Sequence, residues 1–389
     1  MTVDLDEFIK KGTNVKVGLN EWSNYKENLQ EDLTKTLIIT SKSCKKYISG
    51  INPEKVLEVQ GEPTFQSIDN SLKEIYPIYK KIIEKNDEIT LIAVGGGSVI
   101  DTAKILSLML SNNIETALDA LEKSNTSELD EKIKTICVPS TAGTGAETTQ
   151  FSTIWDKSKG LKFSIVSNKL NRTIILDPEL SLYLPNQITI STGIDALCQL
   201  LESTWSKKAD KFSIKTAKLG YQILKNNIAK ITDDPKNQNL RLSMLISSYL
   251  SGISISKANT TLCHSISYPL TALLEIPHGL ACGLTLIETI RFNSKENDKF
   301  IKRTLEATNN DNSQKLIEEI NDLLGIIKFK KLMKPHLSRI EENLIDYSSG
   351  LRIAYSTINE RASNNPRPAT SMDIERILRN SLNNLHEKN

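Results

Sequence analysis

The side chains best suited to hold a metal ion lie in the C-terminal half of the chain. His264 lies in TTLCHSISYPL, His278 in EIPHGLACG, and Asp195 in STGIDALCQLLES on a predicted helix. One carboxylate and two imidazoles are sufficient for a divalent ion that keeps one coordination position open. The separation of the two histidines is not a ligand signature in itself. A capping or ion-paired aspartate with two packed histidines therefore remains the alternative.

A glycine-rich turn in the N-terminal half has the chemistry to bind a pyrophosphate. The apolar run ITLIAV leads directly into Gly95-Gly96-Gly97-Ser98, and a predicted helix follows at once. Glycines let the backbone approach a phosphate closely, and a helix N-terminus offers free N–H groups. A second loop, PSTAGTGAETT, follows the predicted strand KTICV. Loops at the carboxyl ends of parallel strands converge on one crevice, which favours a cofactor site over tight turns without a ligand.

Two patterns of hydrophobicity divide the chain. Short β-branched runs alternate with helical segments, which predicts a parallel, doubly wound α/β sheet. The predicted strands are TLIIT (36–40), KVLEV (55–59), ITLIAV (89–94) and KTICV (134–138), and a helix with Pro77 as its start or kink is predicted over 68–86. Period-2 runs at 149–156 and 161–167 predict a hairpin added to that sheet. From about residue 191 the pattern is helical, without a convincing strand.

The expected organisation is therefore a dinucleotide-binding α/β domain over residues 1–184 and an all-helical metal and substrate domain over residues 185–389. A chain of 389 residues is long enough for two such cores. The net charge is only +2 and the lysines are dispersed, so we expect no nucleic-acid partner. No apolar run approaches the ~20 residues that span a bilayer.

The cysteines and the N-terminal segment indicate the cellular compartment in which the protein is expected. The five cysteines are odd in number and scattered, and none forms a CxxC pair. A disulfide framework is therefore not expected, and a reducing cytoplasm is favoured. The N-terminal segment lacks the basic start, apolar centre and cleavage site of a secretory signal. We expect a cytoplasmic protein with no membrane partner.

Several segments in a fixed order resemble the iron-containing alcohol dehydrogenase family. They are GGGSVIDTAK (95–104), PSTAGTGAETT (139–149), DPELSLYLP (177–185), STGIDAL (191–197), HSISYPL through IPHG (264–279) and NNPR (364–367). The resemblance implies a metal-dependent alcohol dehydrogenase or aldehyde reductase that uses NAD(P)H. It also implies the dehydroquinate synthase-like fold, in which an α/β dinucleotide domain precedes an all-helical metal domain. Relatives are often dimers, which implies a homodimer.

The resemblance also implies roles for the matching positions. Asp195, His264 and His278 would be metal ligands, with Fe(II) implied by the family and Zn(II) or Mn(II) also suited to these donors. The implied cofactor residues are Gly96, Gly97 and Ser98 at the pyrophosphate, and Asp101, Ser140, Thr141, Thr149 and Lys162 along the rest of the cleft.

Two positions depart from the family pattern. The usual fourth ligand is a histidine one helical turn after the aspartate, and this chain has Gln199 there. An amide oxygen is neutral, like imidazole, but is usually a weaker metal donor. Three possibilities remain: Gln199 binds the metal weakly, three protein ligands suffice, or the metal is lost. The neighbouring Cys198 could in principle donate sulfur. Where many members have a second histidine one turn after His264, this chain has Tyr268, which either relays a proton or packs in the wall of the cleft.

The cofactor and substrate are expected from the same comparison. Relatives that prefer NAD usually place an aspartate after the strand TLIIT, whereas this chain has Ser41 and Lys42, which favours NADP(H) over NAD(H). Segments 196–206, 260–271 and 360–370 are most similar to the branch that reduces phosphonoacetaldehyde to 2-hydroxyethylphosphonate. A phosphonate requires a cation, for which Arg367 and Arg291 are the candidates. Short-chain aldehydes and polyols are the alternative substrates.

Two other functions remain open from the sequence. A dehydroquinate synthase-like lyase also combines NAD with a metal, and it would not oxidise or reduce its cofactor stoichiometrically. A degenerate sensor would bind the dinucleotide without turnover, and Gln199 is the feature that supports it. The ligand trio and both cofactor loops favour the dehydrogenase over these two.

Overall fold

The computed structural model describes residues 5–9, 13–29, 33–85, 87–124, 131–167, 172–295, 299–345 and 360–386. The chain forms two compact units. The first contains residues 1–141, 146–157 and 162–183, and the second contains residues 142–145, 158–161 and 184–389. Each unit has its own secondary structure and its own core.

The first unit is built on a six-stranded sheet in which all neighbouring strands are parallel. The strand order is β1-β8-β5-β4-β2-β3. The strands are β1 (Thr13–Val17), β2 (Thr36–Ser41), β3 (Lys55–Val59), β4 (Ile89–Gly95), β5 (Ile133–Pro139) and β8 (Arg172–Leu176). The central strands β4 and β5 are almost wholly buried and rich in β-branched residues, as expected where helices cover both faces of a sheet. The predicted α/β class is confirmed.

Three details of the predicted sheet were incomplete or wrong. The strands β1 and β8 pair with each other along one side of the sheet and were not predicted. The predicted hairpin forms as β6 (Phe151–Asp156) and β7 (Leu161–Val166), but these two strands make a separate two-stranded sheet. The interpretation that they extend the main sheet was therefore wrong. Period-2 alternation predicts a strand but does not identify its partner.

The helices of the first unit are α1 (Glu21–Asn28), α2 (Phe65–Ile83), α3 (Gly97–Ser111) and α4 (Ala117–Lys123). Helix α2 begins with a capping box in which Thr64 accepts from the Ser67 N–H and Ser67 accepts from the Thr64 N–H. Pro77 lies inside α2 rather than at its start, and the last residue of the predicted segment, 86, lies outside the described residues. Helix α3 is buried from Val99 to Leu110, because it packs against β4 and β5.

From residue 184 onward, the described residues of the second unit form helices joined by turns, without a strand, as predicted. Its helices are α5 (Asn186–Trp205), α6 (Lys211–Asp233), α7 (Gln238–Ala258), α8 (Leu262–Leu274), α9 (His278–Asn293), α10 (Lys299–Thr308), α11 (Ser313–Ile326), α12 (Phe329–Met333), α13 (Leu337–Ile345), α14 (Glu360–Ser363) and α15 (Ser371–His386). Helix α5 packs against α6, α7 and α9, and every residue from Gly193 to Trp205 is buried. Within the residues that the structure describes, no helix is both long and apolar enough to cross a bilayer.

Candidate active site

Helix α5 carries a row of polar side chains into the core of the second unit. Asp195, Gln199 and Glu202 follow one another at helical spacing and therefore share one face. Their exposed fractions are 3%, 4% and 0%. A buried carboxylate is costly unless it is paired or coordinates a cation. The partners of these three side chains therefore define the site.

Helices α8 and α9 supply those partners. His264 lies in the first turn of α8, and its Nε2 lies 3.2 Å from Asp195 Oδ1. His278 is the first residue of α9, and Cys282 follows one turn later on the same face. Asp195, His264, His278 and Cys282 each offer one donor atom, and the four atoms lie within 4.8 Å of one another.

Gly279 permits the close approach of α9 to α5. A Cβ atom at this position would lie 1.7 Å from the carbonyl oxygen of Ser191 and 3.1 Å from the amide nitrogen of Asp195. Only glycine fits such a contact between two backbones. The first turn of α9, which begins with His278, therefore lies directly beside the Asp195 turn of α5.

Glu202 holds the ring of His264 from the other side. One carboxylate oxygen is hydrogen-bonded to His264 Nδ1, and the other accepts from the Cys263 N–H at 2.7 Å and the Thr261 hydroxyl at 2.8 Å. A carboxylate on one ring nitrogen orients the other nitrogen toward a metal and increases its basicity. The nitrogen of His264 that faces Asp195, and that would be available to a metal, is thus Nε2.

The two carboxylates also affect the protonation of His264. Burial alone would lower its pKa, but Cys282, Glu202 and Asp195 together raise the pKa well above its usual value. A metal ion requires the neutral imidazole, so binding of an ion would displace this proton. The four donors fit a divalent cation, because one carboxylate, two imidazoles and a thiol form a recognised ligand set for such ions.

His278 lies between polar and aromatic neighbours. Its Nδ1 lies 3.4 Å from the Ser267 hydroxyl, and its Nε2 lies 3.9 Å from the Cys282 sulfur. The ring of Tyr268 stacks on His278 with a centroid separation of 6.0 Å. The guanidinium of Arg361 lies 6.0 Å from the centroid of Tyr268 and donates to the Thr260 hydroxyl at 2.8 Å. A positive charge thus lies one aromatic ring away from the donor group.

Arg361 was not identified from the sequence, and the two arginines that were, Arg291 and Arg367, lie elsewhere. Arg291 is near the opposite end of α9 from His278, which at 1.5 Å per residue is about 20 Å along the axis. It pairs with Glu288. Arg367 donates to the carbonyl of Phe292 at 2.9 Å and lies over its ring, also at that end of α9. Neither contact brings these cations to the donor group.

Gln199 lies beside the donor group in a defined orientation. Its amide nitrogen donates to Asp195 Oδ1 at 3.1 Å, and its amide oxygen accepts from the Ser251 hydroxyl at 2.8 Å. Cys198, the neighbouring thiol, is fully buried in the apolar core cluster of this unit. In this arrangement Gln199 presents hydrogens, not an oxygen, to the ligand carboxylate.

The predicted phosphate turn lies at the carboxyl ends of adjacent strands in the first unit. β4 ends at Gly95 and Gly96 caps α3, while Gly97 and Ser98 form its first turn. The Ser140 N–H after β5 donates to the Gly95 carbonyl at 2.9 Å. A Cβ atom on Gly96 would lie 3.3 Å from the Thr141 hydroxyl. The structure therefore brings the two predicted cofactor loops together.

A buried lysine, not identified from the sequence, organises the second loop. Lys104 on α3 binds Asp101 at 2.9 Å, the Ala146 carbonyl at 3.0 Å and the Thr149 hydroxyl at 3.3 Å, and it also donates to the Phe151 carbonyl. Asp101 in turn accepts from the Thr153 N–H at 2.9 Å. Burial lowers the pKa of Lys104, an effect that Asp101 opposes. Asp101 and Thr149 thus hold the loop in place.

The remaining predicted cofactor residues are Ser41 and Lys162, and Lys42 adjoins the first of them. Ser41 ends β2, which is the strand next to β4, and its hydroxyl lies 3.1 Å from that of Ser43. Lys42 follows it and is exposed. Lys162 lies on β7 with its ammonium 5.4 Å from the ring of Trp155. Ser41 therefore shares the carboxyl-end edge of the sheet with the glycine turn.

The residues that sequence reasoning missed share a recognisable signal. Cys282 and Glu202 lie at helical spacing from predicted ligands, at i+4 from His278 and i+7 from Asp195. Both occur on helices whose other residues are largely buried. A charged side chain on such a helix requires a partner, and that requirement could have identified Glu202.

Comparisons with known proteins assign the chain to a family. Residues 12–178 match the iron-containing alcohol dehydrogenase family, and residues 189–382 match the C-terminal part of the Fe-containing alcohol dehydrogenase family. The chain is 31% identical to a probable alcohol dehydrogenase, EutG, of Escherichia coli over 288 residues, which cover 73% of this chain and 70% of that protein.

Two further relatives have more specific names. The chain is 34% identical to the phosphonoacetaldehyde reductase of Streptomyces viridochromogenes over 209 residues, and this match spans about half of each protein, 52%. Its fold matches the crystal structure of sulfoacetaldehyde reductase from Bifidobacterium kashiwanohense in complex with NAD+. That match has a TM-score of 0.79 at 23% identity and covers 98% of this chain and 99% of the other.

Proposed function

This chain belongs to the iron-containing alcohol dehydrogenase family, and we propose that it reduces phosphonoacetaldehyde to 2-hydroxyethylphosphonate with NADPH. The observation that carries the proposal is the buried donor group on α5, α8 and α9, with the cation of Arg361 one ring away. The partial match to a phosphonoacetaldehyde reductase supports the same substrate.

The metal would be held by Asp195, His264 and His278, with the further donors around them. A divalent ion bound there supplies Lewis acidity, which polarises a carbonyl oxygen. Glu202 keeps the ring of His264 in the orientation that ligation needs. The burial of these groups excludes water, which strengthens every electrostatic interaction among them. Fe(II) is the ion implied by the family, and Zn(II) suits the same donors.

The cofactor would be held by the first unit. The N-terminus of α3 and the Ser140–Thr141 loop provide N–H groups and hydroxyls for a pyrophosphate. Bound NADPH supplies the hydride for the carbonyl carbon. Ser41 ends β2 and the exposed Lys42 follows it, and a hydroxyl and an ammonium accept a 2′-phosphate that an aspartate would repel. These residues support NADP(H) over NAD(H).

Tyr268 is our proposed donor of the proton that the reduced oxygen receives. Its ring stacks on the proposed ligand His278. The guanidinium of Arg361 lies 6.0 Å from the centroid of the same ring. A general acid within hydrogen-bond reach typically contributes about 10²- to 10⁴-fold to a rate. The Tyr268→Phe variant should therefore lose that factor in kcat while it retains its metal. Undiminished turnover of this variant at every pH would remove Tyr268 from the mechanism.

The first experiment follows cofactor absorbance at 340 nm during reduction of phosphonoacetaldehyde, butanal and glyceraldehyde, with Fe(II) or Zn(II) added. Rapid NADPH oxidation confined to phosphonoacetaldehyde supports the proposal. Equal rates with the uncharged aldehydes indicate a general alcohol or polyol dehydrogenase. Bound cofactor without net oxidation under any condition would favour the lyase or the sensor.

Arg361 provides the specific test of the anionic substrate. Loss of a hydrogen bond to a charged group costs about 1.5–3 kcal/mol, which is about a 10- to 100-fold loss of affinity. Arg361→Ala should raise the KM for phosphonoacetaldehyde by that factor and leave the KM for butanal unchanged. Arg291→Ala is the matched control, because Arg291 pairs with Glu288 at the far end of α9. An equal loss on both aldehydes would assign Arg361 a structural role instead.

We further propose a homodimer, as the resemblance implies, in the cytoplasm that the cysteine usage favours. Size-exclusion chromatography with light scattering measures the mass directly. A mass of one chain, 43.5 kDa, at micromolar concentration would contradict the dimer.

A further inference from the structure

The orientation of Gln199 raises the question of which group completes the metal site. Family members place a histidine here, one turn after the aspartate. In this chain the amide NH₂ of Gln199 faces Asp195, and the amide oxygen is occupied by the Ser251 hydroxyl. An amide nitrogen of this kind carries hydrogens and is not a metal donor. The position that usually ligates is here a hydrogen-bond donor to the ligand carboxylate.

Cys282 is the remaining donor of the group formed by Asp195, His264 and His278. It lies one turn after His278 on α9, is fully buried, and has its sulfur 3.9 Å from His278 Nε2. Its sulfur is also within 4.8 Å of the donor atoms of Asp195 and His264. Cys44, Cys137, Cys198 and Cys263 are buried too, but among the described residues none of them belongs to a comparable group of donors.

We propose that the Cys282 thiolate is the fourth protein ligand of the metal, in place of the histidine that Gln199 replaces. The inference rests on the metal dependence proposed above. Binding of the ion transfers the thiol proton to solvent, and a metal–sulfur bond takes its place. No oxidant or reductant is involved.

The charges of this ligand set are consistent with its burial. The carboxylate of Asp195 and the thiolate of Cys282 together balance the two positive charges of the ion, and both imidazoles bind as neutral donors. The carboxylate of Glu202, which is hydrogen-bonded to His264, adds a further negative charge beside this ligand set. The amide NH₂ of Gln199 also stabilises the negatively charged oxygen of Asp195 by donating a hydrogen bond to it.

A sulfur donor changes the preference among metals. Thiolates favour softer ions, so Zn(II) and Co(II) should bind much more tightly than Mn(II). Fe(II) also accepts thiolate ligands. The anionic sulfur donates more charge than imidazole, so the bound ion should be a weaker Lewis acid than in relatives with three histidines.

The decisive experiment replaces the metal with Co(II) in the full-length protein, because a thiolate ligand produces an intense near-ultraviolet charge-transfer band. The band should be present in the wild-type protein and absent in Cys282→Ser. Cys198→Ser is the matched control, since Cys198 is an equally buried cysteine close to Asp195 in sequence, and it should retain the band. A band that persists in Cys282→Ser overturns the proposal.

A second measurement avoids any variant that fails to fold. X-ray absorption at the zinc edge of the wild-type protein should contain one sulfur scatterer at about 2.3 Å. A zinc shell of nitrogen and oxygen alone overturns the ligand assignment, even if the enzyme reduces aldehydes. A sulfur shell in a protein that oxidises no NADPH would support Cys282 as a ligand and contradict the proposed function. The two failures are therefore distinguishable.

Discussion

Buried polar side chains carry the chemistry of the second unit. Asp195, Glu202 and His264 are buried in the helical core, and each is hydrogen-bonded to another of the three or to a neighbouring side chain such as Gln199 or Thr261. Such a network is stable only when every member is satisfied. Changes of one atom at these residues should therefore have effects far larger than their loss of volume.

Glu202→Gln is the variant that tests this argument. The amide keeps the shape of Glu202 but loses the charge that orients and polarises His264. Loss of such an outer partner typically lowers metal affinity about 10- to 100-fold, which competition with a fluorescent zinc chelator measures. Glu319→Gln is the control, because Glu319 pairs with Tyr221 and Lys225 in the same unit. Equal zinc affinities in all three proteins would exclude the role of Glu202.

Glu147 in the first unit should make stability depend on pH. Burial raises its pKa from 4.5 to about 7, so the folded protein keeps a proton that the unfolded chain releases above pH 4.5. The stability that this group contributes is fully present below that pH, and about 3 kcal/mol of it is lost as the pH rises through about 7.

The measurement compares thermal midpoints across this pH range. Glu147→Gln is neutral at every pH, so its midpoint should rise relative to the wild-type protein between about pH 5 and about pH 8. Glu122→Gln, at an exposed position in the same unit, should follow the wild-type curve. Parallel curves for Glu147→Gln and the wild type would contradict the raised pKa.

At the scale of secondary structure, one close contact between helices brings the proposed metal ligands together. Gly279 lets the first turn of α9 lie against the Ser191 carbonyl on α5, and this contact brings His278 and Cys282 to Asp195. The helices themselves follow from ordinary apolar periodicity. Their separation at this point follows from the absence of a single Cβ atom.

Gly279→Ala should therefore separate α9 from α5. The added Cβ cannot remain 1.7 Å from a carbonyl oxygen, so the helix must shift, at a cost of at least about 1–3 kcal/mol. We expect a lower thermal midpoint and loss of bound zinc, measured by elemental analysis. Gly325→Ala on α11 is the matched control, because its Cβ would contact nothing within 4 Å, and it should gain about 0.4–1 kcal/mol. Retention of full zinc content in Gly279→Ala would contradict this account.

At the scale of the whole molecule, the proposed cofactor residues and the proposed metal ligands belong to separate compact units. The glycine turn, Ser140, Thr141 and Ser41 belong to the first unit, and every proposed metal ligand belongs to the second. Each unit has its own core, and the two family matches correspond to the two parts of the chain.

Removal of the metal should therefore abolish turnover without weakening the binding of the cofactor. Dialysis against a chelator should reduce turnover to background, while the affinity for NADPH, measured by its fluorescence enhancement, stays unchanged. Addition of Zn(II) or Fe(II) should restore turnover. A chelated protein that no longer binds NADPH would show that the metal also stabilises the cofactor site.

Local patterns were sufficient to predict much of this molecule. The β-branched runs predicted β2 to β5, and the loss of strands after residue 184 predicted the helical half, because side-chain periodicity reflects burial on one or both faces. The ordered motifs were sufficient for the family, which the comparisons confirm. Asp195, His264 and His278 were singled out because few residue types bind metals.

Contacts between distant segments could not be predicted in this way. The pairing of β1 with β8 joins residues far apart in the chain, and so do the contacts of Cys282, Glu202 and Arg361 with other helices of the predicted site. Such contacts depend on how helices and strands pack, and packing is decided by shape complementarity over the whole core. The residue types limited which chemistry was possible, and the folded arrangement selected which side chains stand close enough to perform it.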